Sequence, residues 1–160
     1  MGKKPKSING FTLVEVMVVL VLLTLSFMVF LRALNTGKSV RANSELRTVQ
    51  GVILNSIQNE IRARRFDENT SSPWSFTLGR ELNENLPEQF DDIDDFHQYT
   101  LSSINDYPAY GLSVSVSYVH PDSKFRVSQS NPTDYKRVSL IISHKTLPSI
   151  IDTMIISSGL

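Results

Sequence analysis

Residues 11–31 read FTLVEVMVVLVLLTLSFMVFL, a run of 21 residues with a single charge, Glu15. At a rise of about 1.5 Å per residue this makes a helix roughly 31 Å long, the thickness of a bilayer's hydrocarbon core. The run therefore reads as a transmembrane helix. Lys3, Lys4 and Lys6 precede it without an acid among them, which places the N-terminus on the cytoplasmic side and the rest of the chain outside. Arg32, Lys38 and Arg41 follow the span and weaken that asymmetry, so the basic leader decides the orientation. A cleaved secretory signal does not fit. Its apolar region would be about 7–15 residues long and end at small residues, whereas this one ends in Val29-Phe30-Leu31-Arg32.

Glu15 is the informative residue of the span. A carboxylate at the centre of a membrane helix costs about 2.5–3.5 kcal/mol on insertion scales. Four residues into the run, Glu15 can sit at headgroup level at little cost, and then it carries no message. The other reading gives it a cationic partner. No basic residue lies one helical turn away, at 11–12 or 18–19. A cut after Gly10, however, would make the new amino group of Phe11 a cation in the same layer. That amine is badly placed for its own helix and well placed for Glu15 of a neighbouring subunit, so the pair would set helices in register.

The Lys-rich leader, Gly10, then Phe11-Thr12-Leu13-Val14-Glu15 and a long apolar run resemble the class III signal of type IV pilins and type II secretion pseudopilins. The resemblance implies removal of residues 1–10 by a prepilin peptidase, which cuts between Gly10 and Phe11 and methylates the Phe11 nitrogen. It also implies that Glu15 pairs with the N-terminus of an adjacent subunit. One departure is the absence of proline between Lys6 and Ser72. Major pilins often carry a kinking proline in this helix, so the expectation here is a straight upper helix or a kink made another way. Major pilins also often close their C-terminal region with a disulfide, which a chain without cysteine cannot form.

The missing cysteine also removes thiolate metal sites, cysteine nucleophiles and lipid attachment to cysteine. Net charge is zero, but its distribution is uneven. Residues 32–65 hold seven basic and two acidic residues; residues 66–100 hold nine acids against Arg80 alone. Two ends so different suit different surroundings.

Beyond the span, Leu46, Val49, Ile53, Ile57 and Ile61 recur at helical spacing, with Arg47, Gln50, Asn55, Glu60 and Arg62 largely off that stripe. The helix is expected to run from the span through 32–65 and to end at the turn formers Asp67–Pro73. Residues 66–160 then form a β-rich head. Alternation predicts strands at 112–118, 137–143 and 150–157, a return strand at 124–128, and a short extended segment at 74–78. The expected class is α+β: a long N-terminal helix packed on a C-terminal antiparallel sheet.

Phe90-Asp91-Asp92-Ile93-Asp94-Asp95-Phe96-His97-Gln98-Tyr99 concentrates the head's charge. Isolated acidic runs are as a rule solvated, so the expectation is an exposed loop with Phe90, Ile93 and Phe96 turned into the core. The alternative is a calcium site with Asp91, Asp92, Asp94 and Asp95 as oxygen ligands, although the run lacks the glycine and distal glutamate of an EF-hand. No other cofactor is implied. This segment also looks like one found in minor pilins of the mannose-sensitive haemagglutinin (MSHA) pilus system.

His97, His120 and His144 are scattered, and no nucleophile elbow, zinc-protease motif or phosphate loop occurs. His97 reads as a surface histidine, and the acidic region would repel a nucleic-acid backbone. The expected protein is thus no enzyme but a structural subunit, a minor pilin active in pilus biogenesis or tip initiation. A type II secretion pseudopilin and a filament-displayed adhesin-like module are the alternatives. Its partners would be other pilin or pseudopilin subunits, the prepilin peptidase, the inner-membrane assembly platform and lipid. Its location would be the bacterial inner membrane, single-pass with the head in the periplasm, and then the filament.

Overall fold

The computed structural model describes residues 10–82 and 84–159. Lys3, Lys4 and Lys6 of the expected leader lie outside the described residues. Helix α1 covers Leu13–Arg62, and four strands follow: β1 Thr100–Leu101, β2 Tyr110–Tyr118, β3 Tyr135–His144 and β4 Ile150–Ser157. They form one antiparallel sheet in the order β1-β2-β3-β4. By contacts the chain divides into two units, one ending at Ser44 and the other beginning at Glu45.

The first unit is the apolar part of α1. Thr12 caps it: its hydroxyl accepts the Glu15 amide at 3.2 Å, the N-cap arrangement that satisfies an orphan donor. Glu15 falls in the first turn, where a negative charge complements the helix dipole. The large apolar residues from Phe11 to Leu34 all face outwards. They are hydrophobic on every side, the character of a helix that needs an apolar surrounding.

The second unit is the head, and its core explains its sequence. Ile53 and Ile61 of α1 are buried, with Val49 and Ile57 partly so, as the periodicity predicts. Gln50, expected off the apolar stripe, lies on the buried face. It is fully buried, and its Nε2 donates to the carbonyls of Ile142 (2.9 Å) and Pro148 (3.3 Å) at a sheet end. Gln58 lies two turns on and donates to Asp152 Oδ2 at 2.6 Å. Two amides thus stitch the helix to β3 and β4, with helical spacing aligning both donors.

Alternation in the strands produces the opposing wall. Leu112, Val114 and Val116 of β2 stand opposite Ile142, Leu140 and Val138 of β3, all buried. The serines between them on β2 face the other way, as a pleat requires. Gly111 is demanded by packing: a Cβ there would lie 2.7 Å from Ser143 Oγ and 3.0 Å from the Leu101 carbonyl.

Three expectations need correction. The helix ends at Arg62 rather than Arg65, because the Arg65 backbone pairs instead with the acidic segment: its amide with Asp91 O and its carbonyl with the Ile93 amide. Residues 124–128 are not a strand, since Lys124 and Phe125 take positive φ values of 52° and 60° that break extension. Residues 74–78 are not a strand either. Trp74 packs edge-on against Phe66 and donates to Asp134 Oδ1 at 2.8 Å, and the Ser75 carbonyl accepts from the Tyr118 hydroxyl.

Candidate functional site

The start of α1 and the acidic segment of the head are the two places where the described residues exceed what packing needs. At the first, Gly10 precedes the helix, and a Cβ on it would meet nothing within 4 Å. The fold places no demand for glycine at position 10, so its presence suits recognition by another protein. Phe11 is 82% exposed, and Glu15 is exposed one turn along. Phe11, Glu15, Val16, Val19 and Leu20 line one shallow apolar depression, so the two predicted residues share a side of the helix.

The family model for the prokaryotic N-terminal methylation motif matches residues 5–31 of the chain. That match covers the second half of the leader, the Gly10–Phe11 junction, Glu15 and the whole apolar run. It sits on an α+β fold with one long N-terminal helix and an antiparallel sheet, as a pilin-like chain requires. The chain carries the N-terminal methylation motif typical of type IV pilin-like proteins. No curated protein and no solved structure matches it. The methylation motif implies processing by a prepilin peptidase and assembly with other pilin subunits. Its class III signal and apolar helix fit a membrane-anchored pilin, and the pilin-type family is structural rather than enzymatic.

In the head of this pilin-like chain the acidic segment is not a solvated loop. Asp92, Asp94 and Asp95 are buried, and Asp91 alone of the four aspartates is exposed. Each has an assigned place. Asp91 pairs with Arg65. Asp92 Oδ1 accepts the amides of Asp94 (2.9 Å) and Asp95 (3.3 Å), capping the short 3-10 helix Asp94–Phe96. Asp95 Oδ2 accepts the amides of Asp91 (2.9 Å) and Asp92 (3.2 Å). Asp94 Oδ1 pairs with Lys136 Nζ at 2.5 Å. Around them Phe90, Phe96 and Tyr99 form an edge-on aromatic trio. His97 is half-buried rather than a surface residue, and its Nδ1 accepts the Val116 amide at 3.1 Å.

Lys136 was missed at the sequence level, although the signal existed. It is in phase with Val138, Leu140 and Ile142 on the inward face of β3. Its Nζ is fully buried between Asp94, Asp67 Oδ2 (3.1 Å) and the Phe66 carbonyl (2.6 Å), under the rings of Phe66 and Tyr118. Burial raises the Asp67 carboxyl, but the Asn69 amide, Ser75 and the Lys136 charge outweigh it, so the group lies below the usual carboxylate range. Burial pushes Asp92 up to about 8, and the Asp94 carboxylate beside it adds to the shift. The triad is a structural fastener.

Among the described residues one carboxylate group stands apart from these pairings. Glu81, Glu84 and Asp95 each bring an oxygen within 4.8 Å of the others. Glu84 Oε2 also accepts the Glu81 amide at 3.1 Å. Desolvation of the Glu81 carboxyl, with the neighbouring Glu84 and Glu68 carboxylates, pushes it up to about 8. Because Glu81 as a residue is exposed, its acidic neighbours carry most of that shift.

Proposed function

We propose that this chain is a minor subunit of a type IV pilus-type filament, acting in pilus biogenesis or tip initiation. The observation that carries the reading is a methylation motif over residues 5–31 leading into a helix whose apolar residues have no cover of their own. Such a helix resides in lipid until it enters a bundle of like helices, and both surroundings are apolar. In this reading a prepilin peptidase cuts between Gly10 and Phe11 and methylates the Phe11 nitrogen. The subunit then stands in the inner membrane with its head in the periplasm. Glu15 meets the Phe11 amino group of the next subunit, an ion pair that apolar surroundings strengthen. The head, which carries no cysteine, offers its surface to neighbouring subunits and catalyses nothing.

The test is stoichiometry. With a tagged copy in cells that build filaments, sheared filaments are expected to contain the chain far below the level of the main subunit. Deleting its gene is expected to cut filament number while leaving the main subunit's abundance unchanged. Recovery of the chain as the bulk component, or filaments built in normal number without it, would contradict the minor role.

A further inference from the structure

We infer that Glu81, Glu84 and Asp95 form a calcium site on the head, fastening the stretch after α1 to the acidic segment. Two independent observations support it. The three carboxylates converge, with oxygens within 4.8 Å of one another and no basic side chain inserted between them in any hydrogen bond or ion pair among the described residues. Separately, Asp95 is wholly buried and its Oδ1 has no hydrogen-bond partner. A buried carboxylate oxygen left unpaired is costly, and native proteins rarely keep one without a ligand. Asp95 Oδ2 is already committed to the amides of Asp91 and Asp92. Oδ1 is the Asp95 oxygen that these amides leave free to take an ion.

The chemistry points to calcium. All three donors are hard carboxylate oxygens, and nitrogen and sulfur ligands are lacking among them. Calcium holds oxygens at about 2.3–2.6 Å, so ligands on opposite sides of the ion stand roughly 4.6–5.2 Å apart. The observed spread fits inside that range without rearrangement. Its tolerance for irregular geometry also suits donors drawn from a loop, where magnesium demands a near-ideal octahedron. Glu68 adds its negative charge to the cluster, and Arg65, whose charge acts on Glu84, is paired with Asp91. Of the four aspartates in the acidic run, only Asp95 belongs to this group; the other three are held by Arg65, Lys136 and backbone amides.

The site has a structural consequence. Among the described residues between α1 and β1 the regular elements are two 3-10 helices, Pro87–Gln89 and Asp94–Phe96. An ion bridging Glu81 and Glu84 to Asp95 would order this stretch, much as a crosslink does. Its occupancy would then set the shape of one surface of the head independently of whether the helix is processed.

The experiment uses the full chain in detergent, with calcium or with EGTA. Calcium at about a hundredfold over its Kd is expected to raise Tm by about 10 °C. Titration calorimetry of the unaltered chain is expected to give one calcium per molecule. The double variant Glu81→Gln, Glu84→Gln is expected to lose the Tm rise. In EGTA it should melt no lower than the unaltered chain, because substitution relieves like-charge repulsion between two residues that are not buried. Absence of calcium uptake in calorimetry would overturn the proposal, as would an equal rise in the double variant. A variant that melts well below the unaltered chain in EGTA would also overturn it, by showing that shared protons, not an ion, hold the cluster.

Discussion

Replacing Lys136 with methionine is expected to destabilise the head by about 3–5 kcal/mol, the cost of leaving one side of a buried ion pair uncompensated. The methionine fills much the same volume, so a cavity is not the cause. What is lost is the cation that pairs, among the described residues, with Asp94 at 2.5 Å and Asp67 at 3.1 Å, both buried. The Phe66 carbonyl loses its donor as well. Against a total stability of about 5–15 kcal/mol, such a change brings the head close to unfolding. The urea midpoint, followed by the fluorescence of Trp74, is the measurement. Trp74 is the chain's one tryptophan, packed on Phe66 beside the triad. Lys145→Met, at an exposed position, should shift the midpoint by no more than about 0.5 kcal/mol. Equal small effects from both substitutions would show that the triad contributes nothing net.

The second large effect concerns Glu15. Glu15→Leu should leave membrane insertion intact or improve it, since leucine favours the bilayer by about 0.3–0.6 kcal/mol where a central acid is penalised. Assembly should fail. Two unit charges 4 Å apart at an effective dielectric of 20 attract by about 4 kcal/mol, roughly a thousandfold in an equilibrium constant. No residue of the exposed apolar helix replaces that attraction or fixes the register. The readout is the tagged chain's share in sheared filaments against its share in membranes. The variant should remain in the membrane fraction, and unchanged recovery in filaments would remove Glu15 from the assembly step. A loss from both fractions would mean that the first turn of α1 needs its acid for stability.

The features that carry the helix and the three long strands are local and periodic, which is why they were legible in the sequence. Ile53, Ile57 and Ile61 repeat at helical spacing, and Leu112, Val114 and Val116 repeat at strand spacing; each pattern is visible within a dozen residues. The acidic segment was misread for the opposite reason. Its partners are far along the chain: Lys136 is 42 residues from Asp94 and 69 from Asp67. A run of aspartates looks solvated until the fold delivers a lysine to it. Lys136 itself is in phase with the buried strand positions, but its charge, and an expected strand that began only at 137, argued against reading it inward. The strand expected at 124–128 failed through backbone geometry, because two adjacent residues with positive φ leave no extended run to pair. Glu81, Glu84 and Asp95 gather through loop folding that no periodicity announces.

The central claim is that this chain is a processed, filament-forming subunit, and one measurement tests it directly. The full chain is expressed with and without a prepilin peptidase, and the N-terminus and intact mass of each product are determined. The account predicts a chain that begins at Phe11 and is heavier by one methyl group when the peptidase is present, and an uncut chain when it is absent. A product that still begins at Met1 or Gly2 beside an active peptidase would contradict it.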